Sequence, residues 1–240
     1  MDNANYAILT RQSGLRNEMS VIAQNIANIG TDGFQKEGLI FSEFVSRLEN
    51  ADSSLSMATA KVRMFDRSQG QLTQTNGQFD LAIEGEGYFL VETQDGQALT
   101  RAGSFAPGPE GSVMASDGAR LLDAGGAPVV VPPDALSIMV SADGTLSADG
   151  VAIAQIGLVM PADPTQMVRA GGVRFTVEGE TIALEDGQIV QGFLEASNVD
   201  PILEIARMID VQRAYEAGRN LLNSEDERIR SVVQTLGNRS

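Results

Sequence analysis

Three stretches of this 240-residue sequence place residues where chemistry could be done. Gly85-Glu86-Gly87 carries part of a phosphate-cradling glycine loop, but Leu90 stands where the third glycine belongs and no helical pattern follows, which predicts a tight β turn instead. Asp143-Gly144-Thr145-Leu146-Ser147 opens like a calcium loop. Its twelfth position is Ala154 and not a bidentate Glu, so two successive hairpin turns are expected there. Glu84/Glu86 and Glu178/Glu180 are two apart on expected strands, which puts each pair on one face at about 6.5–7 Å, the range of glycosidase acid pairs. Nothing in the sequence marks a cleft around them, and solvated strand-edge charges are the plainer reading. There is no His and no Cys, which removes imidazole bases, thiolate nucleophiles, disulfides and the metal sites built on those ligands. No catalytic, cofactor-binding or metal-binding residue is assigned, and no cofactor is expected.

The elements that carry these stretches follow from composition. The formal net charge of −15 would be repelled by phosphate backbones and anionic membrane surfaces, so neither nucleic acid nor membrane is an expected partner. No run of 18 apolar residues is present to span a bilayer. Met1 to Thr10 shows no basic stretch followed by an apolar one, so no cleaved signal peptide is expected. The acidity is concentrated: residues 80–195 carry a net −13 and residues 1–79 and 196–240 carry −1 each. The middle segment also holds 17 of the 25 glycines and 7 of the 8 prolines.

That division sets the expected fold, α+β, with an antiparallel β-rich central domain inserted between N- and C-terminal amphipathic, coiled-coil-like helices. The expected organisation is an N-terminal helix in 1–34, an extended connector over 35–79, an acidic β domain over 80–195 and a C-terminal helix in 196–240. In the first helix Leu15, Met19, Ile22, Ile26 and Ile29 alternate four and three apart, and Ile8 extends the stripe upstream past Gln12. Gly30 is a plausible helix stop. In the last helix Met208, Val211, Tyr215, Leu222, Ile229, Val232 and Leu236 follow the same alternation, interrupted by Gly218 and Glu225. Asn198 or Asp200 is its expected cap, with Pro201 in the first turn. Between the helices, Leu81, Ile83, Tyr88–Val91, Pro128–Val131, Ile138–Val140, Ile153–Met160, Val173–Val177, Thr181–Leu184 and Ile189–Phe193 read as strands. Asp-Gly pairs at 95–96, 117–118, 143–144, 149–150 and 186–187 punctuate them as turns. Phe41, Phe44, Val45 and Leu48 have the spacing of a short helix, and the Ser/Thr/Gln-rich stretch after Glu49 reads as extended or flexible.

A stripe left in water is unfavourable. Leu15 to Ile29 alone represents on the order of 10 kcal/mol of apolar burial before ordering entropy is subtracted. The stripes can be covered by packing on the β domain, or by pairing with each other. Pairing leaves outer faces that are still partly apolar, at Ala4, Ala7, Ala23 and Ala27 and at Ile202, Ile205, Ile209 and Val233. Further copies packed side by side would cover those, which points to a self-assembling protein.

Residues Asn25 to Lys36, NIANIGTDGFQK, resemble the N-terminal signature of bacterial flagellar rod and hook proteins, usually NNLANxxTxGFK. Gly70 to Thr75 (GQLTQT), Phe79 to Val91 (FDLAIEGEGYFLV), Thr100 to Phe105 (TRAGSF), Ser197 to Pro201 (SNVDP) and Gln212 to Glu216 (QRAYE) resemble the family's later segments in the same order. Gly30, Asp32 and Leu99 depart from its usual residues.

The resemblance implies a structural subunit of the basal-body rod and not an enzyme, with length favouring the proximal-rod type. A distal-rod or hook-type subunit is the alternative, and a carboxylate-based carbohydrate enzyme a more distant one. It implies export by the flagellar type III apparatus without a cleaved signal and location in the rod across the periplasm. Partners would be other copies and the proximal and distal rod proteins, met through the terminal helices. The expected interface is the two stripes together with Asn25, Asn28, Phe34 and Arg213. Asn25 and Asn28 would satisfy backbone groups at the end of the first helix, Phe34 would anchor a turn, and Arg213 would meet a carboxylate of the same or an adjacent subunit.

Overall fold

A computed structural model describes residues 2–47, 54–184 and 187–237, with side chains described outside 2–7, 40–47, 54–63, 232–233 and 236–237. The chain divides into two compact units. The first takes residues 1–27, 37–65 and 200–240, and the second takes 28–36 and 66–199.

The first unit contains helix α1 (Asp2–Ala27), strands β1 (Glu37–Arg47) and β2 (Ser54–Phe65), and helix α2 (Pro201–Gly237). Asp200 caps α2: its Oδ1 accepts from the amides of Ile202 at 2.9 Å and Leu203 at 3.1 Å, and Pro201 fills the first position, where no amide is needed. α1 stops at Ala27, short of Gly30, because the Asn28 carbonyl accepts from Thr31 N at 3.1 Å in a turn. Ile29, the last residue of the expected stripe, therefore lies beyond the helix.

The spacing of Phe41, Phe44 and Val45 does not produce a helix. They lie in β1, which pairs antiparallel with β2 from Glu37↔Phe65 to Arg47↔Ser54, with a register shift at Ile40/Phe41. Leu48 falls outside the described residues. Helical spacing over one or two turns is weak beside the β preference of Ile40-Phe41 and Phe44-Val45 and the main-chain ladder with β2.

The second unit is antiparallel throughout. Its nine-stranded sheet runs in the order 167–171, 174–177, 96–100, 88–93, 120–121, 113–115 and 105–107, with 158–161 joining 88–93 to 181–183. A three-stranded sheet (138–140, 145–148, 151–155) and the pairs 188–191/81–84 and 193–195/72–74 complete it. Its core includes Leu81, Ile83, Phe89, Val91, Leu121 and Leu146, all under 3% exposed. Two expected strands come out differently. Pro128–Val131 makes only isolated bridges, since Pro128 has no amide to donate to a ladder. The run Ile153–Met160 divides because Ile156 bridges to Asp123, leaving 151–155 and 158–161 in different sheets.

Candidate assembly interface

The two terminal stripes meet each other. Leu15, Ile22 and Val211 are buried in one cluster, with Met19, Ile26, Met208 and Tyr215 half-buried against it. The polar contacts across the pair run in opposite chain directions: Gln12 reaches residue 215, Glu18 residue 207 and Asn25 residue 204, so α1 and α2 are antiparallel. Glu18 Oε1 accepts from Arg207 Nη2 at 2.8 Å and Nε at 3.0 Å.

Two of the breaks in the stripes, Gln12 and Gly218, turn out to be partners. Gln12 Nε2 donates to the Tyr215 carbonyl at 2.9 Å. A Cβ on Gly218 would lie 2.2 Å from that same Nε2. The polar residue in the seam is tolerated because the glycine opposite leaves room for it to reach main chain.

Asn25 is fully buried and acts as a short substitute strand. Its Oδ1 accepts from Glu37 N at 3.0 Å, and its Nδ2 donates to Glu37 O at 2.9 Å and to Glu204 Oε2 at 3.0 Å. One amide therefore ties α1 to the start of β1 and to α2. The sequence places Asn25 at the end of the first helix with its amide satisfying backbone groups, and the backbone it meets is that of Glu37; nothing in the local pattern connects it to Glu37 and Glu204 in particular.

The remaining candidates scatter. Asn28 Oδ1 accepts from Thr31 Oγ1 at 3.2 Å, and Ile29 is half-buried. Phe34 is buried in the second unit, with the Arg169 guanidinium 4.4 Å from its ring centre. Arg213 is exposed and makes no ion pair among the described residues. Ile8 and Leu222 are half-buried, Ile229 is 42% exposed, and the side chains of Val232 and Leu236 lie outside the described residues. On α2, Ile202 (78%), Ile205 (51%) and Ile209 (45%) form an exposed isoleucine line.

In the second unit the motif segments converge on one buried knot. Arg101, 2% exposed, pairs with Glu195, 3% exposed, at 3.0 Å and donates to the Gly85 carbonyl at 2.7 Å. Glu195 Oε1 accepts from Gly70 N, and its carbonyl accepts from Gly33 N at 2.7 Å. Gly33 has φ +70° and its missing Cβ would lie 2.2 Å from Ala102 N, so no other residue fits where the two turns meet. Arg169 also donates to the Gln35 carbonyl at 2.7 Å, and Tyr88 Oη donates to Gln35 Oε1 at 2.8 Å. The Gly85-Glu86-Gly87 turn is thus a carbonyl acceptor for Arg101. Glu84, Glu86, Glu178 and Glu180 all stand exposed to solvent. Asp143 closes its own turn by accepting from Thr145 N at 3.0 Å and Oγ1 at 2.9 Å.

Residues 82–148 match the family model for the flagellar hook protein FlgE/F/G D1 domain, and residues 190–235 match that for the flagellar basal body rod FlgEFG protein C-terminal region. The chain belongs to this flagellar basal-body rod family. It is 39% identical to the flagellar basal-body rod protein FlgF of Caulobacter vibrioides, over 99% of each chain. It is 34% identical to the FlgF of Mesorhizobium japonicum over all of both chains, and 32% identical to the FlgG of Bacillus subtilis over 92% of this chain and 95% of that one.

Proposed function

We infer that this chain is a structural subunit of the bacterial flagellar basal-body rod, of the proximal, FlgF type, and that it works without catalysis. The observation that carries the reading is the full-length similarity to FlgF proteins, joined to an antiparallel helix pair that keeps isoleucines in water at Ile202, Ile205 and Ile209. Such a surface is costly for a monomer and is explained by neighbours that cover it. Its partners in this reading are other copies and the adjoining rod proteins, reached after export through the type III apparatus. The nearly neutral helix pair can pack closely, whereas the −13 of residues 80–195 favours an outer position where ions screen it. Deleting the gene should abolish swimming and the intact chain should restore it, with the protein located in the rod of isolated basal bodies by cryo-electron microscopy. Motile deletion cells, or a protein absent from basal bodies, overturn the reading.

A further inference from the structure

Asn76-Gly77 is the only Asn-Gly pair in the sequence. The pair suits a tight turn, and Asn76 takes it with φ +60° and its side chain exposed. The hydrogen bonds around it go further than a turn requires. Gly77 N donates to Thr75 Oγ1 at 3.3 Å. The Thr75 hydroxyl has a single proton and two acceptors in reach, Asp80 Oδ2 at 2.6 Å and the Gly192 carbonyl at 3.3 Å. The short bond to the carboxylate is the stronger, so a relay runs from amide to hydroxyl to carboxylate. Gln74 Nε2 donates to Asn76 Oδ1 at 2.9 Å, which polarises the side-chain carbonyl. A Cβ on Gly77 would lie 2.3 Å from Asp80 Oδ2, so glycine is what admits the carboxylate, and it leaves its own nitrogen unhindered.

We propose that this turn is a self-modification site, at which Asn76 is converted through a cyclic imide to aspartate and isoaspartate. The Gly77 nitrogen attacks Asn76 Cγ, and the new N–C bond closes a five-membered ring. The amide proton passes to Thr75 Oγ1 as the hydroxyl proton passes to Asp80, which acts as the base through the threonine. The Gln74 amide bonds the oxygen on which negative charge develops. The Cγ–Nδ2 bond then breaks. The departing nitrogen takes up a proton, returned by Asp80 through solvent, and leaves as ammonia. Water opens the imide at either carbonyl, and each product carries a new carboxylate. Opening at the main-chain carbonyl gives isoaspartate, which lengthens the backbone between Thr75 and Gly77 by a methylene. The amides of Thr75 and Asn76 both donate to the Gly192 carbonyl, at 2.8 and 3.0 Å, so the lengthened turn strains its tie to residue 192. The change is irreversible and marks the age of the chain, whatever assembly the chain enters.

Folded full-length protein, incubated at neutral pH and mapped by mass spectrometry with isoaspartyl methyltransferase labelling, should accumulate aspartate and isoaspartate at position 76 ahead of every other asparagine. Thr75→Val, which keeps the shape and removes the hydroxyl, should slow the conversion by roughly tenfold or more. Thr75→Ser keeps the hydroxyl and should retain the rate. Asp80→Asn removes the base and should slow the conversion as Thr75→Val does. In denaturant, where the relay is gone, Thr75→Val and the unaltered chain should react alike, which separates the relay from any effect of the neighbouring residue. Asn76 left intact after prolonged incubation, a native rate that neither Thr75→Val nor Asp80→Asn lowers, or a Thr75→Val difference that persists in denaturant overturns the proposal.

Discussion

At the residue scale, buried polar groups in this protein are held by specific partners, and removing one partner strands the other. Asn25→Ala would leave the amide and carbonyl of Glu37 without Asn25's side-chain partners. A loss of roughly 2–3 kcal/mol is expected in denaturant titrations followed by helical circular dichroism. Arg101→Ala would leave the Glu195 carboxylate unpaired in a site 3% exposed, costing about 3–5 kcal/mol. Arg101→Met with Glu195→Gln, which keeps an acceptor for Gly70 N, should recover much of that. Two aspartates respond to pH in opposite senses. Partial burial, and then the Asp80 charge, raise the Asp32 carboxyl above its ordinary range. Its ionised form therefore disfavours folding, a penalty absent below the unfolded-state pKa that grows as pH rises through the folded one. Asp32→Asn should stabilise at pH 7 by no more than about 0.5 kcal/mol, with the gain fading in melts below pH 4. Asp66 is held low, first by the Ser68 hydroxyl and then by the Ser68 amide. Its contribution is present above the unfolded-state pKa near 3.8 and is lost as pH falls through the lower folded value.

At the scale of elements, the helix pair shows how two breaks in the pattern can support one another. Gly218→Ala gains about 1 kcal/mol of helix propensity but displaces Gln12 from the Tyr215 carbonyl, a loss of about 1 kcal/mol. The single change should be close to neutral. In a Gln12→Ala background the same change should stabilise by about 1 kcal/mol, and the double-mutant cycle measures the difference. The β1–β2 ladder makes a related point, since a pattern spaced for one or two helical turns gives way when a partner strand pairs along the whole segment.

At the scale of the whole molecule, the nine residues after α1 belong with the sheet unit and not with the helix they follow. Gly33, Phe34 and Gln35 are held there by Glu195, Arg169 and Tyr88. Hydrogen exchange on the monomer should therefore protect residues 33–35 to the same extent as the sheet around 88–100. Gly33→Ala, whose Cβ would strike the Ala102 amide, should erase that protection in both stretches together. Protection of the sheet that survives loss of protection at 33–35 would show the segment to be an appendage.

Much of this was legible along the chain. The 3/4 alternation of Leu15–Ile26 and Met208–Tyr215, a cap just before Pro201 and the Asp-Gly turns at 95–96, 117–118, 143–144 and 149–150 are local signals, and each corresponds to an element because burial periodicity and turn geometry act over a few residues, while Asp186 of the fifth pair lies outside the described residues. The acidic, glycine-rich centre likewise announced a β unit. What the sequence could not decide were meetings between distant residues: Gln12 with Gly218, Asn25 with Glu37 and Glu204, Arg101 with Glu195. Those depend on which surfaces come together in three dimensions, and the hydrogen-bonding demand of a buried amide or guanidinium names no partner until packing supplies one. The periodic stripe was the sequence's own contribution. Which part of it is spent inside the chain, and which isoleucines are left facing water, was settled by the tertiary structure, because one helix can bury only the flank that its neighbour reaches.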